Sequence, residues 1–169
     1  MAKTAGAPNE SIALLLQLLD QAYDRKAWHG PNLKASLRRV TAAQANWRPG
    51  DKRRSIAEIA VHCAYWKYAA RRRLVGGKRG SFAFKGSNWF VLPVPLGEQS
   101  WKQYLSLLDS EHRQLRAAIA GMTPAQLQVV TPGGRYTNLA LIQGIAAHDI
   151  YHAGQVQLLK RLHIATVGK

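Results

Sequence analysis

The C-terminal segment holds one helical period for longer than any other part of the chain. From Leu141, steps of four and three residues reach Ile145, His148, His152, Gln155, Leu159 and Leu162, all on one face of a helix. A pattern of that length commits residues 137–163 to a helix. Its ends are aliphatic, yet its centre is His, His and Gln. A buried polar group without a partner costs ~1–3 kcal/mol, so three on one stripe require a common partner. Histidines at i and i+4 project side by side with Cβ atoms ~5–6 Å apart, and neutral imidazoles bind a shared cation at ~2.0–2.1 Å. His148 and His152 are therefore candidate metal ligands. The plainer alternative has one histidine bonded locally and the other at the edge of the core, and Gln155 beside the pair weighs against it.

The rest of the chain is also helical in pattern, with strand signals nearly absent. Thr41-x-x-Gln44, Ser55-x-x-Glu58 and Thr123-x-x-Gln126 read as capping boxes, the last with Pro124 at the first helical position. Asn9 caps a first helix through residues 10–27, Pro31 opens another through 32–40, and a short piece lies near 41–47. Longer helices are expected at 55–75 and 98–121. The loop between them, residues 76–97, is rich in Gly, Pro and aromatics, which favours a packed flap over a loose tether. The expectation is an all-α protein, a four-helix bundle with extra N-terminal helical segments, in one domain over residues 1–169.

Two further histidines compete to complete a metal site. His62 lies on the stripe Ile59, His62, Trp66, Ala69. His112 lies on an equally good one, Trp101, Leu105, Leu108, His112, Leu115, Ile119. Spacing alone does not choose between them. His163 is 11 residues past His152, ~16 Å along a helix, and cannot share the ion. His29 sits in the break "WHGP", where no period sets its direction. Cys63 is rotated ~100° from His62 and is not counted as a ligand. The sequence "HDIYH" is a near miss to the H-E-x-x-H of zinc proteases, but Asp149 is a methylene shorter than Glu and no third ligand follows within reach.

Charge and cysteine content bound the setting. Lys and Arg total 24 against 9 Asp and Glu, a net of +15. Residues 1–85 hold 17 basic and 5 acidic residues, residues 86–169 only 7 and 4. Such a field attracts polyanions, and "RRRLVGGKRGSFAFKGSNWF" interleaves cations with aromatics as nucleic-acid binders do. No recognisable nucleic-acid-binding motif accompanies it. One cysteine excludes an internal disulfide. No secretory leader and no membrane-length apolar run is visible, so a cytoplasmic protein is expected.

"IAEIAVHCAYWKYAARRRL", followed about eighty residues later by "GIAAHDIYHAGQVQLLKRL", resembles the DinB/YfiT-like superfamily. The resemblance implies a four-helix bundle with one metal-ligand histidine on the second bundle helix and an H-x-x-x-H pair on the last. On this chain those are His62, His148 and His152. It further implies a metal-dependent enzyme, with thiol transferases and isomerases the activities known in the family. Neutral imidazoles suit a divalent ion such as Zn, Ni or Fe, and a bound water or thiol of lowered pKa fits a thiol-dependent transferase or a hydrolase. Its substrate would be a small molecule, with a low-molecular-weight thiol among the candidates, and a homodimer is one expectation. Gln155, Tyr151 and His112 are the candidate catalytic groups, each with a purely structural alternative. The competing reading is a non-catalytic basic protein that binds nucleic acid or another polyanion around a structural metal.

Overall fold

The computed structural model describes residues 9–131 and 134–167. Seven helices follow in order: α1 Glu10–Tyr23, α2 Leu33–Leu37, α3 Ala42–Asn46, α4 Ile56–Leu74, α5 Glu98–Ala120, α6 Pro124–Leu127 and α7 Asn138–Val167. Among the described residues there is no strand, only an isolated antiparallel bridge between Val130 and Thr137 that leads into α7. Among the described residues no helix is long and apolar enough to cross a membrane.

Local chemistry explains the helix ends. Asn9, Asn32, Thr41 and Ser55 each accept a hydrogen bond from an amide of the first turn that follows, satisfying donors that have no partner within the helix. Ser55 and Glu58 form a full capping box. The Glu58 carboxylate also draws in Arg48 at 2.6 Å and Arg54 at 3.0 Å, which pins the start of α4. Helix α1 stops four residues short of the expected end. Asp24 leaves helical geometry, and Asn32 reaches back to donate to the Arg25 carbonyl at 2.7 Å. Helix α2 ends early because Arg38 is extended and Arg39 takes a positive φ of 60°. That reversal lets the Val40 carbonyl accept the indole N–H of Trp101 at 2.7 Å.

The four long helices close a ring: α4 packs on α5 and α7, and α1 packs on the same two. This is the four-helix bundle, with α2 lying against α7 and α3 against α4 and α5. Two apolar clusters fill it. One gathers Leu33, Ile56, Ile59, Val61, Trp101, Leu108 and Val156. The other gathers Ile12, Leu15, Leu19, Leu115, Ile119, Ile142 and Ile145.

Between the clusters every long helix changes character. Asp20 on α1, His62 and Lys67 on α4, Glu111 and His112 on α5, and His148, Asp149 and His152 on α7 all fall there. A polar belt thus crosses the middle of the bundle. Its deepest members, Lys67 and Asp149, form an ion pair with both side chains only 1% exposed. Tyr23 donates to Asp109 beside it, and Arg71 pairs with Glu111 at 3.1 Å.

Breaking a buried ion pair leaves one charge uncompensated, whereas replacing both partners does not. Asp149→Ala is therefore expected to destabilise the fold by ~3–5 kcal/mol, and Lys67→Met with Asp149→Leu to restore most of that loss. Urea denaturation midpoints of the two variants check it, and equal losses would contradict it.

Candidate metal centre

Helices α4 and α7 present the three histidines to one another across their contact. His62 is 5% exposed and His152 3%, with His148 half-buried between them. The Nε2 of His148 lies 3.0 Å from that of His62 and 3.1 Å from that of His152. All three offer a nitrogen to one small volume, within 4.8 Å of each other.

The outer nitrogens decide what this cluster is fit for. His62 Nδ1–H donates to the Asn88 carbonyl at 2.8 Å. His152 Nδ1–H donates to Gln155 Oε1 at 2.7 Å. With those protons on Nδ1, the Nε2 atoms of both neutral rings carry lone pairs. His148 Nε2 can donate to only one of them, so in the other close contact a lone pair faces a nitrogen that offers it no proton. A cation removes that conflict. Nitrogens ~2.0–2.1 Å from one ion stand ~2.9–3.4 Å apart for angles between a right angle and the tetrahedral one, and the two measured separations fall in that range. Burial pushes His148 down to about 3 and His152 to about 4, in each case reinforced by a neighbouring imidazole, and it lowers His62 as well. The rings are held in the neutral form that ligates metals. The cluster could hold a metal ion.

Residues of the 76–97 loop complete the site. Asn88, at a φ of +66°, sits in the left-handed region that Asn enters more readily than most residues. This turn aims its carbonyl at His62 while its side-chain oxygen accepts from Trp66 Nε1 at 3.0 Å. Trp89 stacks on the His62 ring at 3.9 Å and 9°, with the Arg54 guanidinium 4.7 Å from the indole. Phe82, Phe84 and Phe90 pack around Tyr65 and Tyr104 at 5.3–5.7 Å, so the loop is a packed flap.

Gln155 lies within the site as a support for His152, and its amide donates to the Tyr151 hydroxyl at 3.0 Å. Tyr151 is 63% exposed, with its ring 5.0 Å from that of His152. His112, which spacing leaves level with His62, is not brought to the cluster. It stacks on Tyr23 at 3.9 Å, with Nε2 3.9 Å from Asp20. His163 lies against Trp47, and His29 is exposed in the α1–α2 turn. Cys63 is buried, and burial pushes its thiol well up, away from the thiolate a metal binds. Asp149 turns from the histidines to Lys67, where a protease base would face the ion.

Asn88, Trp89 and Lys67 are the participants that motif reasoning passes over. The first two carry no periodic signal. Lys67 does, since it interrupts the stripe Ala60, Ala64, Lys67, Ala70, and Asp149 likewise interrupts Ile142, Ala146, Asp149, Ala153.

Residues 25–156 match the family model described as the DinB superfamily, a span that holds all three histidines and ends just past Gln155. The chain belongs to the DinB superfamily. No curated protein and no solved structure matches it.

His112 marks the belt's response to acid. Burial, with Lys67 nearby, pushes it from 6.5 to about 2. Between those two values the unfolded state holds a proton that the native state refuses. Its contribution is therefore complete above pH 6.5 and is lost as pH falls, by up to ~1.4 kcal/mol per pH unit. His112→Phe, which keeps a ring on Tyr23, should flatten that slope in urea titrations at pH 7, 6 and 5. An unchanged slope would count against it.

Proposed function

We propose that this DinB-superfamily protein is a metal-dependent enzyme acting on a small molecule, with a divalent ion (Zn²⁺, Ni²⁺ or Fe²⁺) held by the Nε2 atoms of His62, His148 and His152. One observation carries the reading: three neutral imidazoles, two buried and one half-buried, converge while hydrogen bonds from Nδ1 fix two of them with lone pairs inward. Three-histidine sites of this kind keep a coordination position open. When bound, the ion would act as a Lewis acid and lower the pKa of a water or thiol nucleophile towards neutrality. That chemistry suits a thiol-dependent transferase or a hydrolase.

The chain's own residues divide the remaining work. Asn88 and Gln155 orient His62 and His152. Trp89 covers the His62 ring and keeps water from that side. Tyr151 accepts a hydrogen bond from Gln155 and retains its own O–H, which is placed to hold or move a proton beside His152. Gln155 is a positioning residue, and His112 is a structural one.

Purified protein should carry about one ion per chain, and His62→Ala, His148→Ala and His152→Ala should each reduce this to almost none. His112→Ala should leave it unchanged. Gln155→Ala should weaken binding ~10–100-fold, as loss of a ligand's supporting hydrogen bond does. Elemental analysis and competition with a chromogenic chelator read both effects. Metal kept by His62→Ala and lost by His112→Ala would overturn the assignment.

A further inference from the structure

The loop between α4 and α5 encloses a cleft of about 580 Å³ against the outer face of α4, within the ~300–1,000 Å³ typical of small-molecule sites. Four cations line it, Arg72 and Arg73 from α4 and Arg79 and Lys85 from the loop, and no acidic residue does. Among the described residues none of the four makes an ion pair, although Arg54, Arg71 and Arg116 elsewhere in the bundle all find carboxylates. Unbalanced cations around a low-dielectric cavity focus a positive potential inside it.

The other walls are aromatic. Tyr65, Trp66 and Phe82 face the cleft. The Tyr68 oxygen receives hydrogen bonds from the Ser81 amide at 3.2 Å and its hydroxyl at 3.3 Å, which fastens the loop to α4. Flat rings beside guanidinium groups suit a ligand with a planar ring and an anionic tail. Trp66 lies seven residues from Arg73, ~10 Å along the helix. Its ring is also 6.3 Å from that of His62 and 6.4 Å from that of His148. Trp66 therefore borders both the cleft and the rings of His62 and His148.

We infer that this cleft binds an aromatic phosphate ester of the nucleotide type, with its ring at Trp66 and its phosphates at Arg72, Arg73 and Arg79. It is the anchoring subsite for the substrate of the metal centre, a statement that rests on the proposed metal-dependent function. The inference also gives a role to part of the basic N-terminal half that the metal site leaves unexplained. A free small molecule, rather than a nucleic-acid strand, is the occupant because the cavity has the volume of a single ligand.

Calorimetric titration of the full chain tests it, with ADP as the probe and adenosine, pyrophosphate and thymidine oligonucleotides of increasing length as comparisons. ADP should bind once per chain, with adenosine and pyrophosphate each at least ~10-fold weaker because each lacks one half of the recognition. Arg73→Gln with Arg79→Gln should weaken ADP by ~10-fold or more and leave adenosine unchanged. Phe82→Leu should weaken both. His148→Ala should still bind ADP, so failure of the metal reading and failure of this one stay distinct. Several results would overturn the inference: no saturable ADP binding, pyrophosphate as tight as ADP, indifference to the Arg variants, or loss of binding in His148→Ala. Affinity that climbs with oligonucleotide length beyond that for ADP would also overturn it, in favour of a nucleic-acid surface.

Discussion

The buried contact between Lys67 on α4 and Asp149 on α7 governs how the two halves of the candidate metal centre meet. Both groups are sealed from water. Any slide of one helix along the other would strand an ammonium and a carboxylate, at several kcal/mol per ion. Asp149 directly follows His148 in the chain, so the register that satisfies the charges also brings His148 to His62. A polar belt in mid-bundle is costly to stability, and apolar clusters on both sides of it offset that cost. Each cluster is built from all four long helices, so neither end of the bundle can loosen without disturbing the belt.

The loop after α4 does for the outside of the site what the ion pair does for its inside. Asn88 joins His62 and Trp66 through two oxygens of one residue, and Trp89 lies flat on the His62 ring. The imidazole plane is thereby set from three directions: by its own helix, by the Asn88 carbonyl and by the indole face. His152 is held by a partner on its own helix, Gln155, one turn away. The two supports are independent, one from a loop and one from local helix geometry. Rigid support of this sort holds the three rings converged on one small volume.

Much of this was legible in the residues, and the parts that were not share a physical cause. Helix identity followed from period and caps: Ser55 and Glu58 start α4 as their spacing requires, and the polar centre of the α7 stripe is the belt seen along one helix. The level match between His62 and His112 could not be broken by spacing, because both face the interior of the same belt. What separates them is which helix α7 lies against, and that is a property of packing. The resemblance to the DinB/YfiT-like group selected His62 where periodicity did not. Asn88 and Trp89 stayed hidden because loop residues repeat nothing that a one-dimensional pattern can register. The early ends of α1 and α2 have a related reason: Asn32 takes the Arg25 carbonyl across the turn and Trp101 takes the Val40 carbonyl from a separate helix, and local helix propensity carries no record of either partner.

The face-to-face stack of Trp89 on His62 makes the protein its own optical probe. An indole 3.9 Å from the His62 ring has an excited state that responds to whatever that ring carries. Ions with unfilled d shells, such as Ni²⁺ or Fe²⁺, quench such emission far more than closed-shell Zn²⁺. Of the five tryptophans, Trp89 is the one whose emission would register an ion held at His62 and the electronic type of that ion.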